Sequence, residues 1–164
     1  MTDPAAQNTA PATAGAVFAA VDIGASSGRV ILGRVLDGGA AAAGSVELEV
    51  VHRFPNGVVE IDGGLRWDFD ALFAEVLKGL AAAATVAAVQ DETITSIGID
   101  TWAVDYGLVN KAGELTAQPY SYRDDRSRAA VAPVHQKLDA ARLYGTTGLQ
   151  FLQFNTLYLS LIHI

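Results

Sequence analysis

Residues 17–35 read V-F-A-A-V-D-I-G-A-S-S-G-R-V-I-L-G-R-V, two short apolar runs hinged on a cluster of small and polar residues. Val17–Val21 is the continuous apolar sequence of a strand covered on both faces, and Val30–Leu32 resumes it. Between them stand Asp22, Gly24, Ala25, Ser26, Ser27, Gly28 and Arg29. Gly24 and Gly28 permit backbone conformations that bulkier residues resist, so successive N–H groups are expected to line one concavity suited to a phosphate. Ser26, Ser27 and Arg29 add donors, and Asp22, ending the first strand, is placed to hold a hydrated divalent cation. The plainer reading is an ordinary hairpin turn, whose small residues serve only to reverse the chain.

Neither familiar glycine-rich phosphate motif is present. A P-loop needs G-x-x-x-x-G-K-[ST] leading into a helix, whereas here Arg29 follows Gly28 and a strand follows the turn. The dinucleotide fingerprint G-x-G-x-x-G fails for the same reason. The remaining pattern, strand, D-x-G-x-S-S-G-R, strand, resembles the first phosphate loop of the actin-like ATPase and sugar-kinase superfamily.

A chain of 164 residues holds one domain with a real core. With 51% hydrophobic and 18% charged residues the composition is globular, and a net charge of -7 disfavours nucleic acid and anionic membranes as partners. Cysteine is absent, which excludes disulfides, thiolate metal sites and a cysteine nucleophile and fits a cytoplasmic location. Residues 1–15 read as a loose, disordered tail without the pattern of a signal peptide. No run is expected to reach the roughly 20 apolar residues of a membrane span.

Beyond the opening turn, Asp37–Gly44 reads as a surface loop and Ser45–Phe54 as a third antiparallel strand, with Val46, Leu48 and Val50 opposite a polar face. His52 reads as structural. Val58–Trp67, centred on Asp62-Gly63-Gly64, predicts a small hairpin. Asp68 is a helix cap, and Phe69, Leu72, Phe73, Val76, Leu77, Leu80 and Ala84 recur at helical spacing, so a helix to about Val89 is expected to bury an aromatic stripe on the sheet. Gly79 within it suits close packing. Thr93–Asp100 predicts a buried strand ending on a carboxylate, and parallel pairing with the first strand would place Asp22 and Asp100 at the same rim. Trp102, Ala103 and Asp105 follow. A tryptophan face and a carboxylate at a rim suit a polyol, while the alternative is a core tryptophan and a turn-capping aspartate. Val104–Val109 alternates as a further strand. The Y-S-Y-R-D-D-R-S-R stretch reads as a solvated loop, Ala129–Leu143 as one helix with Pro133 near its start, and Gly145–Gly148 as loop.

Six blocks in order, V-D-I-G-A-S-S-G-R, H-R-F-P-N-G, W-D-F-D-x-L, S-I-G-I-D-T-W-A-V-D-Y, Y-R-D-D-R and L-Q-F-L-Q-F-N-T-L-Y, resemble the amino-terminal part of the FGGY carbohydrate kinases, and within them the rhamnulokinase group. The resemblance covers Val17–Tyr158. It implies an α/β, ribonuclease H-like (actin-like ATPase) fold, a mixed sheet with flanking helices, forming a partial first domain of a two-domain sugar kinase over residues 16–158. It further implies phosphoryl transfer from ATP, with Mg2+, to L-rhamnulose, giving L-rhamnulose 1-phosphate in rhamnose breakdown. By matching position, Ala25, Ser26, Ser27, Gly28 and Arg29 take the nucleotide phosphates, Asp22 lies near the metal, and Trp102, Ala103 and Asp105 lie at the sugar. The family usually has glycine at Ala103 and commonly proline at Gln153. Its general base is expected beyond residue 164, in a missing carboxy-terminal half, so no catalytic residue is assigned here and the chain alone is expected to be inactive. Residues 159–164 leave the family pattern and read as an atypical or truncated end, with Leu157, Leu159, Leu161 and Ile162 expected to be exposed. A kinase for another ketose or polyol, and a non-catalytic actin-like nucleotide-binding module, are the alternatives.

Overall fold

Residues 14–36 and 44–161 are described by the computed structural model. Nearly all of the expected tail, the Asp37–Ala43 part of the expected loop, and residues 162–164 lie outside the described residues. The chain divides into two compact units, one running to Pro55 and including Ala74–Thr101, the other comprising Asn56–Phe73 and the chain from Trp102.

The first unit is a four-stranded sheet. β1 (Ala14–Ile23), β2 (Ser27–Leu36) and β3 (Ser45–Pro55) form the expected antiparallel meander, and β6 (Ile94–Thr101) joins β1 in parallel, giving the order β3-β2-β1-β6. A parallel neighbour requires a long crossover, and helix α1 (Phe69–Val89) lies within it. Across the β1–β2 pair Val17 faces Arg34, Ala19 faces Leu32 and Val21 faces Val30, and all six are buried. Each large aliphatic group so covered contributes about 1.5–3 kcal/mol.

The residues of α1 that are buried are Val76, Gly79, Ala83 and Ala87. This corrects the expected aromatic stripe: Phe69 and Phe73 stack on one another at 6.2 Å and stay exposed, as does Leu77. The reason is close approach. A Cβ at Gly79 would collide with Val30 Cγ2 and stand 3.2 Å from His52 Cδ2, so the small-residue face wins the contact. His52 is structural, its Nε2 lying 2.8 Å from Glu75 Oε2. A second correction concerns length: α1 has 21 residues and mean hydropathy 1.7 over its most apolar window, enough by length and composition to cross a membrane. Its alanines raise that value.

The alternation in β3 is as read, with Glu47 exposed and Glu49 half-buried beside Arg34. Arg34, 6% exposed, sends Nε to both carboxylate oxygens of Glu92 (2.8 and 2.9 Å) and Nη1 to Glu49 at 2.8 Å. Glu92 chiefly, then Glu49, holds the guanidinium above its ordinary pKa. With Glu49 turned toward Arg34, Val46, Leu48 and Val50 are left exposed. The expected burial of β6 is also overturned: Ile97 and Ile99 are 55% and 63% exposed on an edge strand.

In the second unit β4 (Val58–Ile61) and β5 (Gly64–Trp67) form the predicted hairpin, turning at Asp62 and Gly63 with φ of 52° and 73°. Only small or Asx-type residues accept such a pair of angles readily. Asp68 caps α1, its Oδ1 accepting from Ala71 N at 3.0 Å. The Y-R-D-D-R stretch is built into the structure and not a solvated loop. Asp124 Oδ2 accepts from Leu65 N at 2.8 Å, Ser121 and Ser127 are buried, and the Tyr120 ring lies between the guanidinium groups of Arg66 (3.7 Å) and Arg126 (3.4 Å). Burial lowers the Arg126 pKa.

The single helix expected over 129–143 is two. α2 (Arg128–Lys137) accommodates Pro133 and ends at extended Leu138; α3 (Ala140–Thr147) starts because Asp139 Oδ1 accepts from Arg142 N at 2.8 Å. Gly145 is thus helical, and Gly148, with φ 67°, closes α3. α4 (Thr156–Leu161) exposes Leu157 and Leu161 but buries Tyr158 and Leu159, the latter against expectation. Tyr106 donates its hydroxyl to Leu159 O at 2.8 Å, and the Tyr158 hydroxyl meets His135 Nε2 at 3.0 Å, which ties α4 to its neighbours. No strand forms over Val104–Val109; Val104 has a φ of 73°, which ends any extended run, and only Val109 makes a bridge, to Leu115.

Candidate functional site

In the first unit the reversal between β1 and β2 is a tight hairpin. Gly24 N donates to Ser27 O at 2.9 Å, leaving Ala25 and Ser26 as the loop and Ser27, Gly28 and Arg29 as the opening residues of β2. Ser26, Ser27 and Arg29 are exposed. The glycines are not there for unusual angles: among the described glycines, positive φ occurs at 63, 113 and 148. Gly28 is required for packing, because a Cβ there would collide with the Phe54 ring.

Asp22 faces Arg29 across the hairpin, and both Nε (2.7 Å) and Nη2 (2.6 Å) of Arg29 reach Asp22 Oδ2. On its other side Asp22 is in register with Asp100 of the parallel strand β6. Hydroxyls, a guanidinium and two oxygen-donor carboxylates therefore gather at the carboxyl ends of β1 and β6. A hard, largely hydrated cation beside a phosphate needs no more than one or two such carboxylates. Among the described residues no group of three or more His, Cys, Asp or Glu is arranged for a metal, so an all-protein metal cage is not what this rim offers.

The second unit brings Trp102 and Asp105 together with Trp67, which the sequence placed only at the end of a hairpin. Asp105 Oδ2 accepts from Trp102 Nε1 at 2.8 Å and from Trp67 Nε1 at 2.6 Å, and the two indoles lie 4.5 Å apart between centroids. Asp105 Oδ1 is enclosed by protein. Burial pushes the Asp105 carboxyl above its ordinary pKa, against the pull of the two indole bonds, the Tyr122 backbone N–H and the Arg126 charge. Trp67 is buried, Trp102 half-buried and Ala103 exposed. The available signal for Trp67 was its own chemistry, since a buried indole N–H must find an acceptor. Tyr122 packs 6.4 Å from Trp67, and Arg123 lies over both rings. Elsewhere in this unit a hollow of about 310 Å³ is lined by His135, Leu143, Tyr144, Phe151, Leu157 and Tyr158, none of them a candidate site residue.

No family model matches the chain. Curated relatives do. It is 42% identical over 141 residues to a rhamnulokinase of Bacteroides thetaiotaomicron, covering 86% of this chain and 27% of that protein. A Klebsiella pneumoniae rhamnulokinase is 44% identical over 139 residues, covering 85% and 27%. The match is to rhamnulokinases. The chain spans about a quarter of the length of these rhamnulokinases and fits an amino-terminal part of them. Among solved structures, xylulose kinase from Rhodospirillum rubrum aligns with TM-score 0.62 at 20% identity over 78% of this chain and 25% of that one. Ligand-bound xylulose kinase from Lactobacillus acidophilus aligns with TM-score 0.63 at 16% identity over 90% and 28%. The fold is that of the actin-like ATPase sugar kinases, present in part, with the mixed sheet and flanking helices described above.

Proposed function

We propose that this chain is the nucleotide-phosphate and sugar-contacting part of an ATP-dependent carbohydrate kinase acting on L-rhamnulose. The observation that carries the proposal is the donor-lined hairpin of Ser26, Ser27 and Arg29 beside the registered carboxylates of Asp22 and Asp100, in a chain whose relatives are rhamnulokinases. In the reaction the bond between the γ-phosphorus and its ADP oxygen breaks, a bond from that phosphorus to a sugar hydroxyl oxygen forms, and the hydroxyl proton leaves. Ala25–Arg29 would hold the phosphates, the Ser hydroxyls and the Arg29 guanidinium donating to phosphate oxygens. Asp22, aided by Asp100, would hold Mg2+, which neutralises phosphate charge when bound. Cation and Arg29 then draw on one carboxylate, and a phosphate gives Arg29 its alternative partner.

Trp102 offers an aromatic face to sugar C–H surface, with Ala103 beside it and Asp105 bonded to the Trp102 indole. The group that accepts the sugar proton is sought in the part of the relatives that this chain does not span. The chain by itself is therefore expected to turn over no sugar, because positioning both reactants supplies most of the catalysis in this chemistry. A coupled ADP-release assay tests this: turnover of L-rhamnulose by these 164 residues near that of a full-length rhamnulokinase overturns it.

A second reading, a kinase for another ketose or polyol, is favoured by the exposed methyl of Ala103. Comparing ATP consumption on L-rhamnulose, L-fuculose, xylulose and glycerol, in a chain extended to the relatives' length, separates the two.

A further inference from the structure

Resting on the sugar-kinase reading, the geometry points to Asp105 and Trp67 as positioning residues that act on a sugar through Trp102, with neither touching the sugar itself. Asp105 commits Oδ2 to two indole N–H groups, at 2.6 and 2.8 Å, and its Oδ1 is closed off by protein. No oxygen of this carboxylate is presented to a ligand. Trp67 is 2% exposed and equally withdrawn.

What the pair controls is the turn from Trp102 to Asp105. Val104, at its centre, holds a φ of 73°, a conformation that costs a β-branched residue on the order of 1–3 kcal/mol. The Trp102 Nε1 to Asp105 Oδ2 bond spans this turn and holds both its ends, and the Trp67 bond anchors the same oxygen from β5. The strained turn thereby keeps the half-buried Trp102 ring and the exposed Ala103 in one arrangement. Such preorganisation saves the ligand the entropy of ordering the ring.

Trp67 and Trp102 are the chain's two tryptophans, so tryptophan emission reports on this cluster alone. The test titrates that emission with L-rhamnulose for the wild-type chain, Asp105→Asn, Asp105→Leu and Trp67→Phe, with far-UV circular dichroism as the check on folding. Asn keeps an acceptor oxygen for the indoles and loses the charge; Leu keeps the shape and loses the acceptor. The expectation is that Asp105→Asn binds within about threefold of wild type, while Asp105→Leu and Trp67→Phe lose about tenfold, with Trp102 emission in Trp67→Phe broadened and red-shifted. If Asp105→Leu fails to fold, Trp67→Phe carries the test alone. Asp105→Asn as damaging as Asp105→Leu, with Trp67→Phe matching wild type, means a direct charged contact and overturns the inference while leaving the sugar reading intact. A wild-type chain silent to L-rhamnulose overturns both.

Discussion

Asp22 and Asp100 are register partners on the parallel strands β1 and β6, so two carboxylates end neighbouring strands at one rim. Asp22 already carries the Arg29 guanidinium at 2.6 Å on one oxygen, which leaves this rim nearer to neutrality than two bare acids would be. If the pair serves a magnesium–nucleotide complex, Asp22→Asn weakens magnesium-dependent binding of ADP by about tenfold, or about 1.4 kcal/mol, and Asp100→Asn by less. Calorimetric titration with and without EDTA measures this, and an unchanged affinity in Asp22→Asn removes the cation role from that residue.

Gly79→Ala places a methyl against Val30 Cγ2 and His52. Alanine gains about 1 kcal/mol of helix propensity over glycine, yet overpacking costs about 1–3 kcal/mol. The net expectation is a lower urea midpoint at an unchanged m-value, and a stabilised variant would mean that α1 shifts freely on the sheet.

Arg34→Met strands Glu92, whose side chain is 11% exposed, and the expected loss of stability is about 3–5 kcal/mol. Adding Glu92→Gln recovers part of it, which a double-mutant cycle in urea detects as coupling. Because its partners raise the Arg34 pKa, this contribution is complete below the arginine's unfolded pKa and is lost only as pH rises beyond it. The loss from Arg34→Met is accordingly the same in acid-neutral and mildly alkaline buffer as far as the arginine governs it.

Asp105 runs the other way from a salt-bridged acid. Burial raises its folded pKa, so the folded state holds the proton more tightly than the unfolded chain, and the contribution of this group to stability falls as pH rises from about 4, the unfolded value, through the folded one. Above that it is flat. The wild-type minus Asp105→Asn difference in unfolding free energy, measured across this range, is expected to slope downward with pH; an upward slope contradicts the role given to burial.

Glu75 is the ordinary case. Lys78 first, then His52, lowers its pKa, so its favourable contribution is present above the usual carboxylate pKa and disappears as pH falls through the lowered one. Glu75→Gln is expected to flatten that acid limb and to change nothing at neutral pH beyond the small value of an exposed pair.

The elements that were legible in sequence are those whose signal is local. The β1–β2 reversal, the Asp62-Gly63 hairpin and the Asp68 cap each follow from residues within a few positions of one another. What escaped depends on partners far along the chain. Gly28 looks like a flexible turn residue until Phe54 lies over it, and Glu49 of β3 looks like a plain surface acid until Arg34 is seen beside it. Trp67 reads only as the end of a hairpin because its acceptor, Asp105, is 38 positions away. Val104–Val109 alternates like a strand, but its first residue adopts a left-handed angle that no alternation pattern encodes.

The parallel pairing of β1 with β6 has a consequence for the order of events during synthesis. β1, β2 and β3 follow one another directly in sequence and can zip as the nascent chain emerges, whereas β6 is translated only after the β4–β5 hairpin and the whole of α1. Until then β1 offers an unpaired edge to the ribosome's surroundings, and closing the largest loop in the sheet is the slow step that ends this exposure.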